Sequence, residues 1–329
     1  MNPFAYERPN DPQLAVNAIS RTPASRFLAG GTNLIDLMKN GVEQPQRLID
    51  INRLDLAKVE SLPDGGLRLG SLARNADTAN HPLVRQHYPL LARAILSGAS
   101  PQLRNLATNG GNLLQRTRCP YFVDPAFTQC NKRIAGSGCA ALEGFNRSHA
   151  IFGASEQCIA THPSDMCVAL AVLDASIRAR GKKGERIIPF ADFHRLPGET
   201  PHTETNLSSD ELILSIDLPA SPYASHSHYL KVRDRASYEF ALVSAAVALD
   251  VENDRVRSAR IALGGVAHKP WRCPEAEQDL IGKTISLSVF ASAANTCVAG
   301  AKTYRYNKFK VEMARNAVAQ ALATAGGLA

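Results

Sequence analysis

Apolar and polar positions change period several times along the chain, and each change predicts an element. Residues 26–29 read as the end of a short strand, and residues 30–33, Gly-Gly-Thr-Asn, as a turn. Residues 34–40 then carry apolar positions at helical spacing. Thr32 or Asn33 is placed to cap that helix, and Gly41 stands where a helix stops. Residues 47–51 and 67–70 read as strands. Residues 89–97 read as a helix with Leu90, Leu91, Ala94 and Ile95 on one face. Residues 103–112 lead into a second glycine pair. From 117 to 160 the periodicity disappears into a Cys-, Gly- and Pro-rich stretch. A loop that long inside a compact domain is usually functional or disordered, and its cysteines favour function. Residues 163–179 read as helix, then strand. Residues 211–218 read as a strand that ends in Pro-rich turn residues 219–222, where a domain boundary is expected. The tail alternates strands, at 240–250 and 258–266, with helices that end at Ala325. The expected division is 1–222 and 223–329.

Composition narrows the class. The chain has 329 residues, 45% hydrophobic and 20% charged, which suits a globular protein of two or three domains. No run approaches 18 uninterrupted apolar residues, so no membrane span is expected. The N-terminus lacks a basic segment followed by an apolar one, so the sequence by itself points to the cytoplasm. A net charge of +7 suits a polyanionic ligand or an acidic partner, but the basic residues are scattered and no nucleic-acid module is present. Seven cysteines, an odd number without a signal peptide, argue against a disulfide framework.

Four motifs carry candidate chemistry. In Ala29-Gly30-Gly31-Thr32-Asn33-Leu34, paired glycines between strand and helix let backbone N–H groups approach a phosphate, and the helix start adds partial positive charge. Thr108-Asn109-Gly110-Gly111-Asn112-Leu113 follows the same logic. Two such turns would clamp a pyrophosphate from both sides, although each alone is equally the mark of a plain turn. In Thr161-His162-Pro163-Ser164-Asp165, the Asp165 carboxylate can accept hydrogen bonds from sugar or ribityl hydroxyls or simply cap the next helix, and His162 reads as structural. Finally, Cys119, Cys130, Cys139 and Cys158 fall within forty residues. Thiolates suit iron–sulfur clusters or zinc; the alternative is small buried hydrophobes. Burial is not expected in so polar and turn-rich a loop. Arg116, Arg118, Lys132 and Arg133 flank the first two thiols and are placed to offset their charge. Cys167, Cys273 and Cys297 lie in regular elements and read as packing residues.

In this order, and with Lys231-Val232-Arg233-Asp234-Arg235 and Gly264-Gly265-Val266-Ala267 following, the motifs resemble the FAD-binding subunits of the molybdenum hydroxylase (xanthine dehydrogenase) family. The resemblance spans nearly the whole chain. The segment 116–144 is similar, more specifically, to the middle subunits of bacterial periplasmic aldehyde oxidoreductases, and more distantly to the beta subunit of 4-hydroxybenzoyl-CoA reductase. The resemblance implies an α+β fold: a two-part FAD-binding domain of the PCMH/vanillyl-alcohol-oxidase type, then a smaller α/β domain of the CO dehydrogenase flavoprotein C-terminal type. It implies FAD contacts from Leu28, Ala29, Gly30, Gly31, Thr32, Asn33, Leu34, Thr108, Gly111, Asn112, Asp165, Ile213 or Leu214, and Lys231. It implies a [4Fe-4S] cluster on Cys119, Cys130, Cys139 and Cys158. It also implies two partners, a molybdopterin-binding large subunit and a [2Fe-2S] small subunit, with electrons passing to FAD and on to an acceptor. Export with a signal-bearing partner stays open, as does the substrate.

No hydrolytic triad, zinc-protease motif or paired-carboxylate pattern is present. Two other classes remain at this point. A stand-alone FAD oxidase would need its own substrate domain, for which the tail is small. A zinc-stabilised binding module would hold no flavin.

Overall fold

The computed structural model describes all of residues 1–329, arranged around three sheets. The first is parallel, with strand Arg47–Asp50 between Ala5–Glu7 and Ser25–Leu28. Parallel neighbours need crossover connections. Helix Pro12–Ile19 supplies one; Asp11 caps it, its carboxylate accepting the Gln13 and Leu14 amides at 2.7 and 3.1 Å. The periodicity did not reveal this helix. Leu34–Lys39 supplies the other and stops at Gly41, whose φ is +75°.

The second sheet is antiparallel, ordered Val59–Ser61, Leu67–Gly70, Leu212–Leu218, Ser176–Gly181, Gly184–Pro189. Its central strand Leu212–Leu218 is buried at every position but Asp217, as its near-continuous apolar run requires. Helices Pro89–Ser97 and Asp165–Val172 pack beside it in a core of 31 buried residues. All eight residues of Asp165–Val172 are buried, which fits a helix without a polar face.

The third sheet, also antiparallel, runs Trp271–Arg272, Arg255–Gly264, Val243–Glu252, Ser227–Val232. Ala246 and Ala248 face the core just described. Val243, Ala245, Val247 and Leu249 face a second core, closed by helices Pro274–Leu280, Leu287–Val298 and Phe309–Ala325. The two long strands lie a few residues from the predicted 240–250 and 258–266. Asn253 and Asp254, at φ of +51° and +59°, form the tight hairpin between them, a turn favoured by residues that tolerate positive φ.

Residues 117–160 are irregular apart from the single turn Pro120–Val123. They are nevertheless anchored. The Ile151 and Phe152 amides donate to Val266 O, and both side chains join the second core. No helix of the chain is long and apolar enough to cross a membrane.

Candidate functional site

Strand Ser25–Leu28 delivers the first glycine turn to the side of segment 106–107. A Cβ on Gly30 would stand 2.1 Å from the Leu106 carbonyl oxygen, and Gly31 sits at φ +71°. Only glycine fits both demands. The amides of Gly30, Gly31, Thr32 and Asn33 find no acceptor within the chain. Neither Thr32 nor Asn33 caps the following helix through its side chain, contrary to the sequence reading. The Asn33 Oδ1 instead accepts the Arg116 amide at 3.1 Å, and its Nδ2 is buried without a partner.

The second turn opens helix Asn109–Leu113, capped by Thr108, whose Oγ1 accepts the Gly111 amide. Asn109 is fully buried and donates to Gly70 O, which locks the turn onto the second sheet. Asn112 donates to Asn75 Oδ1 at 2.7 Å and accepts from Ser164 Oγ, tying this turn to the start of helix Asp165–Val172. Ser164 caps that helix, so Asp165 has other partners. Its carboxylate accepts from Tyr229 Oη at 2.6 Å and Lys231 Nζ at 2.8 Å, with both charged side chains less than 10% exposed.

The two turns form a waist between two cavities. Ala29 to Leu34, Thr108, Gly111 and Ile213 line one of about 550 Å³. Asn112 and Asp165 line another of about 400 Å³, and Thr32, Asn33 and Gly111 border both. Three predicted residues stand behind these walls. Leu28 packs against Gly31, Leu214 lies in the core beside helix Pro12–Ile19, and Lys231 reaches the site only through Asp165.

The larger cavity is also lined by Ser25, Ser71, His194 and His268, which sequence reasoning missed. These four, with Asn33 and His162, each have a buried side-chain polar atom without a hydrogen-bond partner. Buried orphans of this kind are rare and costly, so their convergence marks a place for a polar ligand. Burial pushes the His194 imidazole down to about 4 and keeps it neutral. His162, read as structural from the sequence, packs against His194 with ring centroids 4.3 Å apart and the rings tilted by 60°. The Cys167 thiol is within 4.8 Å of both, but burial pushes it up to about 12, and His162 Nδ1 already accepts the Ser164 amide. A neutral thiol and a committed ring are poor metal ligands.

The four loop cysteines converge from separate stretches of residues 117–160. Cys130 and Cys139 pair as neighbours across an isolated bridge. The neighbouring Cys158 side chain and the amides of Ala141, Ile159 and Leu142 bring the Cys139 thiol down to about 6 against the opposing effect of burial. Cys119 is pushed up to about 12 by burial, although the Phe122 and Tyr121 amides favour its thiolate, and His149 Nε2 lies 3.1 Å from its sulfur. The expectation of exposure fails for Cys130 and Cys158, which are buried because this loop folds over its own thiols. The expectation for the flanking cations also needs correction. Arg116 pairs with Glu43 and Glu204, Arg118 with Asp36, and Arg133 binds the Tyr121, Phe122 and Asp124 carbonyls. Only Lys132 acts on a thiol: Cys139 and burial push Cys158 well up, and Lys132 opposes that shift only in part while its ammonium pairs with Glu204. Cys167, Cys273 and Cys297 lie in the cores, as expected.

Two family models cover this architecture: the FAD-binding domain in molybdopterin dehydrogenase over residues 2–221, and the CO dehydrogenase flavoprotein C-terminal domain over residues 228–325. The chain belongs to the FAD-binding molybdopterin dehydrogenase family. It is 51% identical over 328 residues, 99% of each chain, to the aldehyde oxidoreductase FAD-binding subunit PaoB of Escherichia coli. It is 28% identical to the glyceraldehyde dehydrogenase medium chain of Sulfolobus acidocaldarius, over 86% of this chain and 83% of that one. Among solved structures it matches a carbon monoxide dehydrogenase from Hydrogenophaga pseudoflava at TM-score 0.78 and 25% identity, over 99% of this chain and 98% of that one. It is thus an oxidoreductase subunit, and its cofactor is FAD. The cavities fit that group: free amides and a cradle that a Cβ would fill stand at the waist, and unsatisfied polar atoms line the larger chamber.

Proposed function

We propose that the chain is the FAD- and [4Fe-4S]-binding electron-transfer subunit of a heterotrimeric, molybdenum-dependent aldehyde oxidoreductase. Its partners are a molybdopterin-binding large subunit and a [2Fe-2S] small subunit, and an external acceptor takes the electrons. The observation that carries this reading is the end-to-end likeness to the aldehyde oxidoreductase subunit of Escherichia coli. Residues 1–222 form the flavin-binding unit, and residues 223–329 contribute Lys231 and Tyr229 behind Asp165.

Bound FAD supplies a two-electron centre between the iron–sulfur donor and the acceptor. This chain's own residues hold and orient it. The free amides of Gly30 to Asn33 and the Thr108–Gly111 turn bind the pyrophosphate. Ala29, Leu34 and Ile213 give an apolar wall, with Leu28 and Leu214 bracing it from behind. Asp165, oriented by Lys231 and Tyr229, and Asn112 offer hydrogen bonds in the smaller cavity.

A [4Fe-4S] cluster supplies a one-electron carrier. Cys119, Cys130, Cys139 and Cys158 hold it, and the amides around Cys119 and Cys139 favour their thiolates.

A serine series at all seven cysteines, with iron and sulfide analysis and visible spectra, tests the reading. The wild type should show flavin bands over a broad iron–sulfur shoulder. The four loop variants should lose cluster iron, and Cys167→Ser, Cys273→Ser and Cys297→Ser should keep it. Full iron with an unchanged spectrum in Cys130→Ser or Cys139→Ser would refute the assignment. The isolated chain should oxidise no aldehyde, because it offers a cofactor site without a substrate-activating group; robust turnover by it alone would refute the heterotrimer.

A further inference from the structure

The thiol loop and the flavin cavity share a wall, and one half-buried carboxylate, Glu204, joins them. Lys132, two residues beyond Cys130, buries its ammonium against Glu204 Oε1 at 2.5 Å and the Pro201 carbonyl at 3.1 Å. The other oxygen of Glu204 accepts from Arg116 Nε at 2.8 Å. The Arg116 backbone amide in turn holds Asn33 Oδ1, within the first glycine turn. The Arg116 guanidinium also reaches Glu43, which binds Arg26 on the strand that leads into that turn. Arg116, Lys132 and Glu204 all line the larger cavity.

On the loop side the geometry is equally tight. Asn131 exchanges hydrogen bonds with Gly138 at 2.8 and 2.9 Å and donates to Gln157 O at 3.0 Å. One asparagine therefore joins the neighbours of Cys130, Cys139 and Cys158, and Lys132 follows it directly. If the loop loosens, Lys132 leaves Glu204. A half-paired carboxylate is then left in the cavity wall, where a dinucleotide brings its negative pyrophosphate. Like charges at close range in a poorly hydrated site repel strongly.

We propose that Glu204 is a positioning residue through which the state of the four-thiol loop sets the affinity of the chain for FAD. The inference rests on the reading that the loop thiols hold a metal group. Coupling of this kind is reciprocal, so bound FAD also steadies the loop.

The test titrates iron-replete and iron-stripped protein with FAD, using flavin fluorescence to obtain Kd. The series is wild type, Glu204→Gln, Lys132→Met and Lys132→Arg. Stripping should weaken FAD binding to the wild type by about five- to a hundredfold, the usual range for coupled sites. Lys132→Met and Glu204→Gln should make Kd insensitive to stripping, and Lys132→Arg should restore the dependence. Equal Kd for replete and stripped wild type, or full dependence in Lys132→Met, overturns the coupling. Wild type purified without iron overturns the cluster reading alone. Cys139→Ser then perturbs the loop in place of stripping, and an unchanged FAD Kd in that variant overturns the coupling.

Discussion

Gly30 leaves the first turn almost no freedom, because the obstacle to a side chain there is backbone. Gly30→Ala must displace the Leu106 carbonyl, at a cost of about 1–3 kcal/mol for forced overpacking. Flavin should be lost with it, since the same shift moves the free amides. Gly31→Val should also yield flavin-poor protein, from its φ of +71° and its contact with Ile35. Gly41→Ala is the control: its surroundings are open, so only the strain of its positive φ remains, about 1–2 kcal/mol. Thermal unfolding and the flavin-to-protein ratio separate the three. A Gly30→Ala protein with full flavin and native stability would contradict the close approach. The Asp165–Lys231 pair makes a second case. Lys231→Met should cost about 3–5 kcal/mol, because it leaves a carboxylate buried and uncompensated. Adding Asp165→Asn should recover part of that loss; a double variant no more stable than Lys231→Met would show that the charge pair is not the cause.

At the scale of elements, the tie between segment 116–132 and the segment around Glu204 predicts a pH dependence. Burial alone would raise the Glu204 carboxyl, but Lys132 and Arg116 outweigh it and hold the group below its ordinary value. The unfolded chain then takes up a proton first, at a pH of about 4.3. The tie therefore contributes its stability above that pH and loses it as the pH falls toward the folded value. In Glu204→Gln the acid limb of a plot of urea midpoint against pH should be shallower than in the wild type. Parallel limbs would mean that Glu204 does not titrate in this way. The element scale also shows why some strands were placed only roughly. Strand Val243–Glu252 is buried on both faces through Leu249, so its sequence has no alternation to mark either end. By contrast, Pro89–Ser97 was legible residue for residue, because Pro89 starts it, Gly98 follows its end and one face is apolar.

For the whole molecule, FAD binding should stabilise the fold by about 4 kcal/mol at a thousandfold excess over Kd, since only the folded chain offers the waist between the cavities. Melting temperatures with and without the flavin measure this, and an unchanged value on flavin removal would count against it. Acid precipitation should release the flavin into the supernatant, because the contacts proposed for it are free amides and hydrogen bonds; flavin retained on the polypeptide would refute non-covalent binding. The sequence by itself determined the two glycine turns, the central apolar strand Leu212–Leu218, the four clustered cysteines and the family they resemble. Each of these is written in adjacent residues: a turn needs its glycine, a buried strand needs its apolar run, and a loop without periodicity shows its unusual residues. The tertiary structure alone decided which polar groups meet. It took Asn33 from its helix cap to Arg116, 83 residues away, and gave Lys132 to Glu204, 72 residues away, rather than to the thiols. It brought His162, His194 and His268 to one cavity. No local pattern records such meetings, because a buried charge or imidazole is satisfied by whatever the fold sets within about 3 Å of it, at any separation along the chain.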